Sequence, residues 1–406
     1  MKSKNFRLLW IGQTIANLGD VLYIVALISL LYTATKYTLY LAMLPFLNTI
    51  GRFISGAFSP LLFNRYELKD LLVYSQALKT LFLLFLVCFL SILTASNINC
   101  IFVFIFLLAI FDGWAMPATN AILPRVVQKN ELLKANSFVS VLYESTQLGG
   151  WAIGGMLVSL LNGQSLIWFT IVLYGISTAM MIGIVDHTPF QPITMKRNVK
   201  EELKEGWMII WKNPMFRNIH IVYIIESIAN VIWTAAILYV FVKEILHVTE
   251  AWWGYMNTVF FIGLLIGGFL CIKLASFIEK NLRKAANYAS FAVSIITILF
   301  ALNSIPWIAL LLIMLHGIKE QIKSISLNTY LQKEASSDVL VKIYGAQNTM
   351  VSLVFGISAL LAGFFAEISI RFTFFAAGFL LLLSSYYLLT KKSNFPSYYK
   401  EKGEEE

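Results

Sequence analysis

The stretch NFRLLWIGQTIANLGDV, residues 5–21, returns in altered form as MFRNIHIVYIIESIANV at residues 215–231. Phe6-Arg7 is matched by Phe216-Arg217 and Val21 by Val231, so the offset is constant at 216 − 6 = 210. A fixed internal offset is the mark of a duplication. Between the copies lies a charged, proline-marked strip, residues 186–217, in an otherwise oily chain.

Composition says what was duplicated. With 58% hydrophobic residues, 13% charged residues and a mean hydropathy of +0.74, the chain has too little polar surface to wrap a water-soluble core. Apolar runs at 8–33, 38–63, 70–94, 98–123, 135–161 and 165–185 each reach the roughly 20 residues that a spanning helix needs. Runs at 218–242, 251–277, 285–303, 305–330, 343–367 and 369–390 repeat the pattern. The expected fold is therefore an all-α membrane protein of twelve transmembrane helices in two six-helix pseudo-repeats. Residues 1–185 form the first bundle, 186–217 a cytoplasmic linker, 218–390 the second bundle and 391–406 a cytoplasmic tail.

Loop charge sets the orientation. Lys2, Lys4 and Arg7, then Arg65 with Lys69, Arg125 with Lys129, and Lys196 with Arg197 occupy alternate connections, while the opposite side carries mainly Lys36, Lys243 and Arg371. Both termini are expected inside a bacterial-type cell membrane. The net charge of +9 follows from this bias, so no nucleic-acid partner is inferred. The first apolar run is too long for a signal peptide and is expected to stay as a membrane helix. Cys88, Cys100 and Cys271 show no disulfide or metal spacing and read as membrane-buried residues.

Ionisable residues inside hydrocarbon are costly and each needs a partner, a wet cavity or a proton. Gln13, Asn17 and Asp20 fall on one helical face of the first span. Span seven repeats the device with Tyr223, Ser227 and Asn230, overlapped by Glu226, Asn230 and Trp233. Asp20, Glu226, Glu144 and Asp112 are candidate proton-coupling carboxylates; each is equally open to a purely structural role in an ion pair. Gln13, Asn17, Tyr223, Asn230, Trp233, His316, Lys319 and Glu320 are candidate lining residues of a substrate cavity. Glu226, with Asn230 one turn on and Trp233 beyond, suits an amphipathic cation. Lys79 is expected to snorkel toward the near interface, and Arg52 to pair with Asp20 or Glu144. Asp112 aligns with His316 or with Glu320. Gly150, Gly154 and Gly155 in span five, and Gly263, Gly267 and Gly268 in span eight, are expected to let helices approach. Pro117 and Pro124 are expected to break or cap span four, and Pro45 and Pro60 to bend span two.

With this architecture in place, the chain resembles the major facilitator superfamily. The phrases from Phe6 to Gln13 and on to Gly19-Asp20, Pro117-Ala118 through Leu123-Pro124, Leu133-Lys134-Ala135-Asn136-Ser137, and Glu205-Gly206 with Asn213-Pro214 are similar to its drug-export branch, which includes macrolide-efflux and enterobactin-exporter proteins. The family's signature between spans two and three survives only as Pro60, Asn64, Arg65 and Lys69, which weakens its usual latch. Its span-five antiporter motif is only partly matched, by Gly150, Gly154 and Gly155. Arg65, Lys79 and Arg52 are accordingly read as gating or structural residues, with no catalytic or metal-binding residue.

The resemblance implies a monomeric secondary transporter, not an enzyme, with a small-molecule substrate, protons and the lipid bilayer as its partners. It implies antiport efflux of a hydrophobic or amphipathic compound, as in multidrug resistance, driven by the proton gradient without a cofactor. An uptake carrier for a nutrient and a non-transporting sensor or immunity protein remain open alternatives.

Overall fold

The computed structural model describes residues 3–35, 38–90, 100–186, 188, 199–249 and 251–391. Lys2, Lys36, Lys196, Arg197 and the 392–406 tail lie outside them. The first repeat contains α1 (Lys4–Thr35), α2 (Thr38–Phe63), α3 (Leu68–Leu90), α4 (Cys100–Val126), α5 (Leu132–Leu161) and α6 (Gly163–Ile182). A linker helix, α7 (Val199–Lys212), precedes the second repeat. There the seventh span is split into α8 (Pro214–Ala229), a 3-10 turn (Asn230–Trp233) and α9 (Ala235–Glu244). α10 (Ala251–Lys273), a short α11 (Ala275–Lys280), α12 (Leu282–Leu302), α13 (Pro306–Glu334), α14 (Ser337–Ile368) and α15 (Ile370–Thr390) complete twelve spans in two six-helix repeats.

The duplication is visible in the packing. α1 packs on α6, α2 on α4, and α3 on both α4 and α6; in the second repeat α8 packs on α15, α10 on α13, and α12 on both α13 and α15. These are the same four pairings carried over. Side chains such as Leu160, Trp307 and Leu360 are more than 70% exposed. Large apolar groups displayed on that scale face lipid and not water.

Two compact units result. One comprises Met1–Lys129, Ser145–Trp207 and Ala335–Thr349; the other comprises Asn130–Glu144, Met208–Glu334 and Met350–Glu406. Each includes a piece of one long helix from the other repeat. In the first unit Gly345 on α14 lies against Ser59 on α2, where an added Cβ would meet Oγ at 2.5 Å. In the second unit Asn136 on α5 donates to Gln332 Oε1 at 2.6 Å and Thr329 Oγ1 at 3.0 Å on α13. The second unit is also cored by aromatic rings: Phe241 lies 4.5 Å from Phe300 and 4.8 Å from Phe374 between centroids.

Several expectations change in the folded chain. α4 runs on through Pro117 and Pro124 to Val126, because neighbouring helices can accommodate a lost backbone bond in a membrane bundle. The linker is in part a helix. An added Cβ at Gly206 would come within 2.4 Å of the Lys342 carbonyl oxygen, and Lys342 Nζ reaches Glu205 Oε1 at 2.8 Å.

The glycines of α10 and α13 do what small residues do in bilayers, which is to let backbones touch. A Cβ at Gly263 would sit 2.4 Å from the Met314 carbonyl oxygen, and one at Gly317 would sit 2.6 Å from the Phe260 carbonyl oxygen. Both obstacles are backbone, so neither can swing aside. Gly263→Ala is expected to destabilise the second unit by about 1–3 kcal/mol through overpacking. Thermal unfolding in detergent reads it, beside Gly254→Ala, where a Cβ meets open space.

Candidate functional site

In the first unit one ion network, buried at Lys79 and open at Arg52, draws on five helices. Lys79 on α3 places Nζ 2.5 Å from Asp20 Oδ1 on α1 and 3.1 Å from Asp112 Oδ1 on α4. Arg52 on α2 contacts the other oxygen, Asp112 Oδ2, at 2.6 Å. The Tyr174 hydroxyl on α6 donates to Asp20 Oδ1, and its ring lies under the Lys79 ammonium at 4.8 Å.

Local sequence explains why these groups meet. Gly19 leaves room for the Tyr174 ring, since a Cβ there would be 2.6 Å from Cε1. Gly51 and Gly113 bring α2 against α4, with added Cβ atoms 2.6 Å from Ala109 and 2.4 Å from Ser55, so Arg52 reaches Asp112. Lys79 therefore does not snorkel: its side chain is 1% exposed, and two carboxylates hold it inside. Arg52 pairs with Asp112 and not with Asp20 or Glu144. Two acids balance two bases, so the network is neutral with all four ionised.

The second unit has a different arrangement. Lys323 on α13 lies 3.0 Å from Glu226 Oε2 on α8 and 2.7 Å from Glu320 Oε2 one turn earlier. Its side chain is 2% exposed, that of Glu226 7% and that of Glu320 22%. Two carboxylates share one lysine. Beside them the Trp233 and His316 rings lie 4.4 Å apart, and Phe260 approaches His316 at 6.0 Å. Among the described residues, the buried Trp233 Nε1, His316 Nδ1 and Asn230 Oδ1 have no hydrogen-bond partner.

The broken seventh span places these groups. α8 ends at Ala229, and the 3-10 turn of Asn230–Trp233 interrupts the 100° progression that a straight helix would give Glu226, Asn230 and Trp233. Irregular backbone at membrane depth is tolerated where it is enclosed by protein or lines a cavity. Ser227 spends its hydroxyl on the Tyr223 carbonyl oxygen at 2.6 Å.

Other sequence candidates lie apart from these networks. Gln13 donates to Asn17 at 3.1 Å and accepts from Thr119 at 3.3 Å. Glu144 on α5 and Lys319 on α13 are half-buried and join neither network. Gly150 and Gly154 pack closely on Val21 and Leu22 of α1, whereas Gly155 faces open space. Arg65 is exposed at the end of α2.

Sequence reasoning missed Tyr174, which carries no marker among many tyrosines, and a triad at the ends of three spans. Arg125 binds Asp186 Oδ2 and Asp338 Oδ1, each at 2.6 Å. Asp186 also accepts the Thr188 backbone N–H at 3.0 Å. Burial alone would raise the Asp186 carboxyl, but the Thr188 N–H and the Arg125 guanidinium outweigh it and hold it below the usual 3.8. A depressed carboxyl stabilises the fold above its unfolded pKa, and that contribution is lost as pH falls through the folded value. Asp186→Asn is expected to lose about 1–3 kcal/mol at neutral pH, with the difference from the parent vanishing well below pH 4. Thermal unfolding across pH 2.5–7 measures it.

Twelve spans in two copies, with ionisable groups buried inside each, define a duplicated multi-pass membrane protein. The profile of the Major Facilitator Superfamily matches residues 9–359, and the chain belongs to that family of membrane transporters. It is 28% identical over 390 residues to YfmI, an uncharacterized MFS-type transporter of Bacillus subtilis (strain 168), covering 95% of this chain and 96% of that one. YjbB of the same organism, also an uncharacterized MFS-type transporter, is 26% identical over 95% and 94% of the two chains. In fold the chain is similar to a bacterial homologue of the iron transporter ferroportin in an outward-facing state (TM-score 0.80, 13% identity, 96% and 99% of the chains). It is also similar to the human organic anion transporter MFSD10 (TM-score 0.77, 11% identity, 95% and 99%).

Proposed function

We propose that this transporter is a proton-coupled exporter of amphipathic, cationic small molecules, with Glu226, Glu320 and Lys323 as its exchange site. The carrying observation is the stoichiometry of charge: two carboxylates face one lysine within 3.0 Å. Leaving the extra charge bare at membrane depth is costly, so a proton or a cationic substrate must offset it. Two ligands that satisfy the same charge compete, and competition of that kind is what exchange requires. The first unit's network, already neutral, needs neither.

Trp233 and His316 add flat aromatic faces beside the acids, and the unpaired Trp233 Nε1 and Asn230 Oδ1 supply one donor and one acceptor. Such a mixture of apolar walls and a few polar groups suits small-molecule recognition. In this reading the two repeats alternate access to the site, protons move inward, both termini are cytoplasmic in a bacterial cell membrane, and the working unit is a monomer. The drug-export branch is the resemblance that fits this use.

The test is transport by the full chain in proteoliposomes under an imposed pH gradient, with matched cationic, neutral and anionic aromatic compounds. Gradient-driven movement of the cations alone is expected, with external acidity competing for the site. Equal transport of anions, or cation transport indifferent to a protonophore, would overturn the assignment. Everted vesicles separate export from uptake by direction.

A further inference from the structure

In the first unit, α2 and α4 leave a cavity of about 340 Å³. Ile54, Phe58 and Leu61 line it along α2, Trp114 on α4 forms a wall, and Arg65 with Tyr66 stands where α2 ends. The walls are held by contacts of their own. Trp114 Nε1 donates to the Leu71 carbonyl oxygen at 3.2 Å, and Tyr66 meets the Tyr74 ring edge-on at 6.0 Å.

The dimensions suggest what lies there. From Ile54 to Arg65 is eleven residues, which at 1.5 Å of rise is about 16 Å, close to half of a hydrocarbon core about 30 Å thick. The groove thus runs from the bilayer's mid-depth to its edge and is mainly apolar over that length, with the Ser55 hydroxyl as its polar group short of Arg65 and Tyr66. At the edge it presents a guanidinium that makes no ion pair among the described residues, next to a tyrosine of the kind that concentrates at headgroup level. Planar guanidinium groups bind phosphate oxygens in pairs.

We propose that this groove is a specific phospholipid site: one acyl chain lies along Ile54, Phe58 and Leu61, and the phosphodiester is held by Arg65 beside Tyr66. The occupant is a membrane lipid and not free phosphate, because the greater part of the groove offers nothing to an ion. The site lies outside the Glu226 network and stands whether or not that network exchanges protons.

The experiment uses the full chain in detergent with phosphatidylglycerol, with diacylglycerol of the same acyl chains, or with inorganic phosphate. Phosphatidylglycerol is expected to raise the unfolding midpoint by several degrees, more than diacylglycerol does, with no shift from phosphate alone. Native mass spectrometry is expected to count one fewer retained phosphatidylglycerol in Arg65→Gln and in Ile54→Trp, which fills the groove. Arg65 is exposed, so its substitution leaves the fold intact. An unchanged lipid count and an unchanged midpoint shift in Arg65→Gln would overturn the phosphate contact. An unchanged count in Ile54→Trp would overturn the acyl-chain position, and equal shifts from the phospholipid and diacylglycerol would overturn the recognition of phosphate.

Discussion

Glu226→Gln is expected to uncouple transport from the proton gradient while leaving the protein folded. Removing one carboxylate leaves Lys323 with Glu320 alone, at 2.7 Å, and that pair is already neutral. No proton is then needed to balance the site, and none is carried through it. Accumulation of a cationic substrate against its gradient should be lost, whereas exchange of labelled for unlabelled substrate at equal pH should persist in weakened form. Glu320→Gln should behave alike, because it leaves Lys323 paired with Glu226 at 3.0 Å. The double variant is the decisive one. It strands a buried ammonium without a counter-ion, which costs about 3–5 kcal/mol, so two substitutions tolerated singly should together abolish folding. A double variant that unfolds at the parent midpoint would mean that Lys323 is neutral or solvated in the native protein, and the charge argument would fall with it.

The fold was legible because it is written in features that do not depend on long-range contacts. Apolar run length marks the spans, and the 210-residue echo marks their grouping. The site was legible only in part. Asp20 declares itself by its place on a stripe with Gln13 and Asn17, and Glu226 by standing alone in an apolar run. Which cation answers which acid is another matter. Lys79 has the same distance to the interface whether it snorkels or turns inward; the choice is made by Asp20 and Asp112 on two other helices. Arg52 meets Asp112 because Gly51 and Gly113 close the α2–α4 gap, a fact of packing. The break at Asn230–Trp233 contains neither proline nor glycine, so nothing local announces it. Arg125 reads as one more loop charge until the chain folds, since Asp338 lies 213 residues away.

Replacing Lys79 by methionine should produce the largest loss of stability in the first unit, and the pattern of its rescue should identify the cause. Methionine fills much of the same volume, so the cost is electrostatic. Asp112 keeps Arg52 at 2.6 Å, but Asp20 keeps only the Tyr174 hydroxyl. A buried carboxylate deprived of its cation costs about 3–5 kcal/mol, of the same order as the total stability of many domains. Lys79→Met with Asp20→Asn should therefore recover most of the loss, because the amide still accepts from Tyr174 and carries no charge. Lys79→Met with Asp112→Asn should recover little: Asp20 remains bare, and Arg52 loses its contact with Asp112 as well. Lys79→Arg should fall between, since a planar fork replaces a compact ammonium seated between two oxygens and an aromatic face. The measurement is the midpoint of thermal unfolding in detergent for the four variants. Equal rescue by either asparagine would assign the loss to total charge and not to this geometry. A Lys79→Met protein with the parent's midpoint but without transport would move the network from scaffold to mechanism, and proton coupling would then have to be sought in both units.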